Sequence, residues 1–426
     1  MMHLKLYLNN NRNILNIIKF SLISVFLLIF SFLIDRSRLI GDEWLAPLML
    51  TKEISTTFLS SLAGVFLTVT TFSFTTILTV LNQYASEYTP RVEQDFVDQP
   101  SVLSLFGIFI GGFFYSIFSL LLIQNAPENA KVISGTIGIL YAMASMIYFM
   151  LFVKTVLKSV KTSDVIETIY KKANTLIEDE INDEGVKIDK VDLTGEGTLL
   201  FAPQSGYLYS INHQEMFTQL PPKCSLVIER QVGDYLYRGE PIGILYGPTE
   251  ELETLKEQIT EGYIFSATIN DLDDYRHEIR NLIEIALKAI SPGINDPNSA
   301  IIAIRCIAEL IGKLLKHHQY YLIYTKEDHG QIVHHWPSVE ETLYFVFYQL
   351  IHYGKTDPSL SITLIKALQY IYVNSHSLHQ AEVKMFYDET FYFLHQQLEQ
   401  SMDQDYLTKV YENLESYQKQ TYKENL

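Results

Sequence analysis

Four stretches of the first 160 residues constrain this chain more than anything else in it. They run over 14–34, 56–81, 102–124 and 132–157, contain no acidic side chain, and carry basic ones only near their ends, at Lys19 and Lys154. At a rise of about 1.5 Å per residue, some twenty apolar residues cross the roughly 30 Å hydrocarbon layer of a bilayer. Uncharged runs of this length are rare as buried helices of water-soluble folds. The pattern predicts a multi-pass α-helical membrane domain of four spans over 1–160. No small-residue cleavage site follows the first stretch, and Asp35-Arg36-Ser37-Arg38 suits a helix end, so it reads as a span and not as a signal peptide.

Orientation follows from basic residues, which collect on the cytoplasmic side. Lys5, Arg12 and Lys19 flank the first span, and Lys154, Lys158, Lys161, Lys171 and Lys172 follow the last. Arg36, Arg38 and Lys52 in the first outer loop oppose that bias. The balance predicts a cell-membrane protein with both termini and the soluble part cytoplasmic.

The second span carries Ser61, Gly64, Thr68, Thr71, Thr75 and Thr79 at spacings of three or four, which gathers them on one helical face. Such a face serves close helix packing, with hydroxyls bonding back to their own helix, or lines a permeation path. Ser104, Gly107 and Gly111 in the third span, and Ser134, Gly138 and Ala142 in the fourth, form small-residue packing seams. No charge pair lies within the spans, which disfavours ion-coupled transport. In the loop after the second span, Pro90 ends or bends the helix, and Arg91 is expected at the inner membrane surface.

The formal net charge of -17 argues against nucleic acid as a partner, because phosphate neutralisation needs a cationic surface. Two cysteines, Cys224 and Cys306, give neither a disulfide framework nor a thiolate metal site. Residues 161–192 read as an amphipathic linker helix with Val165, Ile169, Ala173, Leu176 and Ile177 on one face. Residues 193–250 are glycine-punctuated and β-rich, with turns at Gly233-Asp234 and Gly239-Glu240. Their shape resembles a lipoyl-type half barrel without the modified lysine, so no such cofactor is expected. Residues 251–426 read as a cytoplasmic α-helical bundle, in which Ile279, Leu282, Ile283, Ala286, Leu287 and Ile290 form an apolar face.

The sharpest motif is Ser291-Pro292-Gly293-Ile294-Asn295-Asp296-Pro297-Asn298-Ser299. Pro292 and Gly293 stop one helix, and Asp296 caps the next, with Pro297 at its first position. Ser291, Gly293, Asn295, Asp296 and Ser299 therefore form either a structural cap or a turn that holds a ligand or partner. A hydrolase set drawn from Ser291, His277 and Asp296 lacks a nucleophile elbow. The paired histidines at 317–318 and 334–335, with His329 between, read as surface loop residues and not as a metal site.

Together with the Thr89-Pro90-Arg91 loop and the turn at Gly233, this motif resembles the signature of an uncharacterised family of membrane proteins, the domain of unknown function 2254. The resemblance extends over nearly the whole chain and implies architecture, not mechanism. Three functions fit these readings. The first is an oligomeric channel or permeation protein regulated by its cytoplasmic domains, with lipid and further copies of itself as partners. The second is a membrane-anchored scaffold or sensor for a cytoplasmic partner or small anion. The least favoured is a membrane enzyme, because no catalytic set, cofactor or metal site is evident.

Overall fold

The computed structural model describes residues 12–36, 46–87, 100–127, 130–159, 161–183, 185–188, 190–191, 193, 196–268 and 274–414. The chain divides into two compact units, Met1–Val165 and Ile166–Leu426.

The first unit is built from α1 (Arg12–Arg36), α2 (Lys52–Glu87), α3 (Pro100–Ile123) and α4 (Ser134–Ser159), with a short antiparallel pair, β1 (Leu50–Thr51) and β2 (Lys131–Val132). Three of these helices, over Lys52–Gln83, Ser104–Ile123 and Ser134–Leu157, are long and apolar enough to cross a membrane. α1 covers the first apolar stretch. Half of the apolar window of α3 is buried, against 22% for α2 and 17% for α4, so α3 is the central helix. Glycine allows its close approach to its neighbours. A Cβ on Gly111 would lie 2.1 Å from Ser24 Oγ, and one on Gly112 would lie 2.8 Å from the rings of Phe66 and Tyr141.

Several polar groups in this unit find partners inside it, as a low-dielectric surrounding favours. The Tyr141 hydroxyl donates to the Ile108 carbonyl at 2.6 Å and meets Ser24 Oγ at 2.9 Å. Tyr115 donates to the Ser134 carbonyl at 2.9 Å. Asp35, at the end of α1, accepts from Ile133 N at 2.7 Å and from Ser134 Oγ at 2.6 Å. One carboxylate thus closes the start of α4, where backbone amides lack helical partners.

The second unit begins within α5 (Thr162–Ile181), at Ile166. Its predicted apolar face is there, with Ile169, Ala173 and Ile177 buried. The helix is more than a linker, however. Tyr170 donates to Glu309, Lys313 reaches Asn174 and Glu178, and Lys172 pairs with Glu278 at 2.6 Å.

The strands follow as β3 (Val186–Ile188), β4 (Glu196–Phe201), β5 (Gly206–Ile211), β6 (Ser225–Ile228), β7 (Tyr235–Leu236), β8 (Pro241–Gly247) and β9 (Tyr263–Ser266). The helices α6 (His213–Gln219) and α7 (Thr249–Thr260) lie among them. Next come α8 (Tyr275–Ala289), α9 (Pro297–His317), β10 (Tyr321–Thr325) and β11 (Gln331–His335). The unit ends in α10 (Val339–Gly354), α11 (Pro358–Asn374), α12 (Gln380–Gln397) and α13 (Ser401–Glu412).

The β region departs from the sequence reading. It is not a half barrel confined to 193–250. A six-stranded sheet runs β3-β10-β11-β6-β8-β4, and a three-stranded sheet runs β7-β5-β9. β11 pairs in parallel with β6, from Gln331↔Ser225 to His334↔Ile228. The β10–β11 hairpin therefore comes from within the segment read as a helical bundle. Its long-range pairing is a tertiary event that leaves no local periodicity in the sequence. The two sheets and α6–α7 share one core, which includes Leu200, Leu208, Met216, Leu226, Ile242, Leu245 and Ile332.

The histidines move with this correction. His334 is a strand residue whose Nε2 lies 2.7 Å from His213 Nε2 on α6. Burial pushes the His334 imidazole down to about 3, with the His213 ring adding to the shift. His318 is buried, with its Nε2 3.1 Å from the Pro337 carbonyl. Among the described residues, no group of three His, Cys, Asp or Glu side chains could hold a metal ion.

Candidate functional site

The hydroxyl face of α2 points away from the rest of its unit. Ser61, Gly64, Thr68, Thr71, Thr75 and Thr79 are all exposed, and nothing lies within 4 Å of a Cβ placed on Gly64. Each hydroxyl donates to the carbonyl four residues earlier: Ser61 to Thr57, Thr68 to Gly64, Thr71 to Leu67, Thr75 to Thr71 and Thr79 to Thr75. The donors are satisfied within the helix, and the oxygen lone pairs face outward. Pro90 and Arg91 lie outside the described residues.

The Ser291–Ser299 turn is held by several of its own hydrogen bonds. Asn295 takes a left-handed φ of 52°, and Asp296 N donates to the Ala289 carbonyl at 2.8 Å. Asp296 accepts from Ser299 N at 3.2 Å through one oxygen and from Ser299 Oγ at 2.5 Å through the other. The Ser291 hydroxyl donates to the Lys288 carbonyl at 2.6 Å. Ser291 and Asp296 therefore direct their polar atoms into the turn and not toward a shared reacting centre. Asp296→Ala is expected to lower the stability of the second unit by about 1–2 kcal/mol through loss of the α9 cap. Urea unfolding of the solubilised chain would measure this, and Asp296→Asn should recover most of it.

A polar cleft of about 290 Å³ opens elsewhere in the second unit. Its walls are the β6–β7 connection (Glu229, Arg230, Gln231, Asp234), the first turns of α8 (Tyr275, Arg276, Ile279), α9 (Ile311, Leu314), the end of β11 (His335) and α10 (Glu341, Thr342, Phe345, Val346). The connection is a tight turn. Gly233 holds φ at 92°, Asp234 N donates to the Gln231 carbonyl, and Asp234 Oδ2 accepts from Gln231 N at 3.0 Å. Gln231 also donates to the His335 carbonyl at 2.7 Å, which ties the turn to β11.

Arg276 reaches Asp234 through a single contact of 3.3 Å. Its guanidinium lies 5.5 Å from the centre of the Phe345 ring, and that of Arg280 lies 5.3 Å from the same ring. Arg230 gives its Nε to the Pro241 carbonyl at 3.0 Å.

Behind the cleft, Asp274 caps α8 by accepting from Arg276 N at 3.1 Å. Burial raises its carboxyl to about 6, against the lowering pull of that bond and of Arg276 and Arg280. Glu180, at the end of α5, is raised to about 7, first by burial and then by the charges of Asp274 and Asp183.

Sequence reasoning recognised Gly233-Asp234 as a turn but did not join it to Arg276. Arg276 is 42 positions from Asp234, and no spacing rule links a turn to a helix start at that distance.

These features define an integral membrane protein that joins a bundle of apolar helices to an α/β unit with a polar cleft. The family model described as "Predicted membrane protein (DUF2254)" matches residues 12–370, and the chain belongs to that family. No curated protein and no solved structure matches it.

Proposed function

We propose that this chain is a membrane-anchored ligand sensor. In this reading α1 to α4 are four spans of the cell membrane, both termini and the second unit are cytoplasmic, and the cleft takes a small molecule. The observation that carries it is the cleft. It joins an apolar floor of Ile279, Ile311, Leu314 and Val346 to a few fixed polar groups, the usual composition of a ligand pocket. Its turn, strand end and two helix starts are each fixed by their own hydrogen bonds, so the walls are preorganised. A chemically mixed library screened by thermal shift on the full chain in detergent should give stabilising compounds, and Phe345→Ala should abolish their effect. A library that moves the wild-type melting temperature nowhere overturns the reading.

A second reading, an oligomeric permeation protein regulated by the same cytoplasmic unit, draws on the hydroxyl face of α2. A helix whose lone-pair-bearing face turns away from its own bundle is suited to meet another copy or a water-filled path. Reconstituted protein should then conduct, and Thr71→Leu with Thr75→Leu should change that conductance. Silent bilayers under varied ions, pH and tension count against it.

A further inference from the structure

We propose that the cleft binds a small oxyanion, a carboxylate or phosphate carried by a compact molecule, and that Asp234 holds the anion's place while the cleft is empty. This deepens the sensor reading and rests on it. The cleft wall contains three acidic side chains, but two are already committed. Asp234 accepts with one oxygen from Arg276 and with the other from Gln231 N. Glu341 accepts from Ser338 N and Ser338 Oγ in the capping box of α10. Glu229 is exposed. The donors are in the opposite state. A guanidinium carries five N–H groups. Among the described residues, the side chain of Arg276 makes one hydrogen bond and that of Arg230 makes one. The Arg276 guanidinium also lies over the Phe345 ring on the cleft wall. The cleft is therefore rich in donors despite its mixed formal charge.

The contact between Arg276 and Asp234 has the form of an exchangeable partner. It is single and 3.3 Å long, whereas a carboxylate or phosphate that meets a guanidinium squarely makes two shorter bonds. An incoming oxyanion gains that bidentate geometry, and Asp234 keeps its bond to Gln231 N within the turn. The 290 Å³ volume sits at the small end of ligand pockets and excludes a dinucleotide-sized molecule.

The test is isothermal titration and thermal shift on the full chain in detergent, with inorganic phosphate, citrate and AMP as anions, spermidine and choline as cations, and glucose and adenosine as neutral probes. Anions should bind, Arg276→Gln should weaken them about tenfold or more, and Asp234→Asn should tighten them several-fold, as expected for a charge-assisted bond and its internal competitor. If Arg276→Gln does not fold, Arg230→Gln takes its place. Phosphate matching AMP and citrate supports a free oxyanion as the source, and a preference for AMP or citrate supports an organic one. Anions that bind the wild type and these variants alike overturn the proposal. Cations or neutral probes that bind and are lost in Phe345→Ala overturn the anion class but leave the sensor reading standing. If no probe of any class binds, both fall.

Discussion

Lys172→Met is expected to destabilise the second unit by up to about 3 kcal/mol at neutral pH, because it leaves a buried carboxylate without its cation. Glu278 is fully buried on α8, and its charge is met by Lys172 Nζ at 2.6 Å and by Asn281 Nδ2 at 3.3 Å. Adding Glu278→Gln should restore most of the lost stability, because the uncompensated charge is then gone. Urea unfolding followed by the fluorescence of Trp336, with Trp44 replaced by Phe, reads the second unit. A loss that is not rescued by the second substitution would show that Lys172 acts through packing alone.

Glu180→Gln is expected to act in the opposite direction. The folded state raises this carboxyl from 4.5 to about 7 by burial beside Asp274 and Asp183. Between those two values the folded chain holds a proton that the unfolded chain has released. The associated stability is complete below the unfolded value and is lost as pH rises through the folded one. The variant should match the wild type near pH 4.5 and exceed it by up to about 3 kcal/mol at pH 8, from about 1.4 kcal/mol per unit. Comparing variant with wild type at each pH removes the acid destabilisation contributed by the depressed His213 and His334, which is common to both. An unchanged difference across this range would place Glu180 in solvent in the working protein.

Much of the architecture was legible because it rests on local chemistry. The apolar runs became helices α1 to α4, since a segment that satisfies its own amides can be recognised one residue at a time. The Asp296-Pro297 start of α9 is likewise a capping event confined to a few consecutive residues. The hydroxyl stripe followed from helical geometry alone. The histidines failed for the converse reason. His334 was read as a loop residue because β11 is a strand only by virtue of β6, more than a hundred positions earlier.

The sequence by itself thus determined a membrane-embedded first part, a second part containing both strands and helices, and the capped start of α9. The tertiary structure alone decided that α5 belongs to the second unit, that β10 and β11 complete the larger sheet, and that Asp234 meets Arg276 across a cleft. The physical reason is the range of the forces. Helix periodicity and capping act within a few residues, whereas sheet pairing and charge pairing across a cleft depend on a chain path that only the packed core fixes.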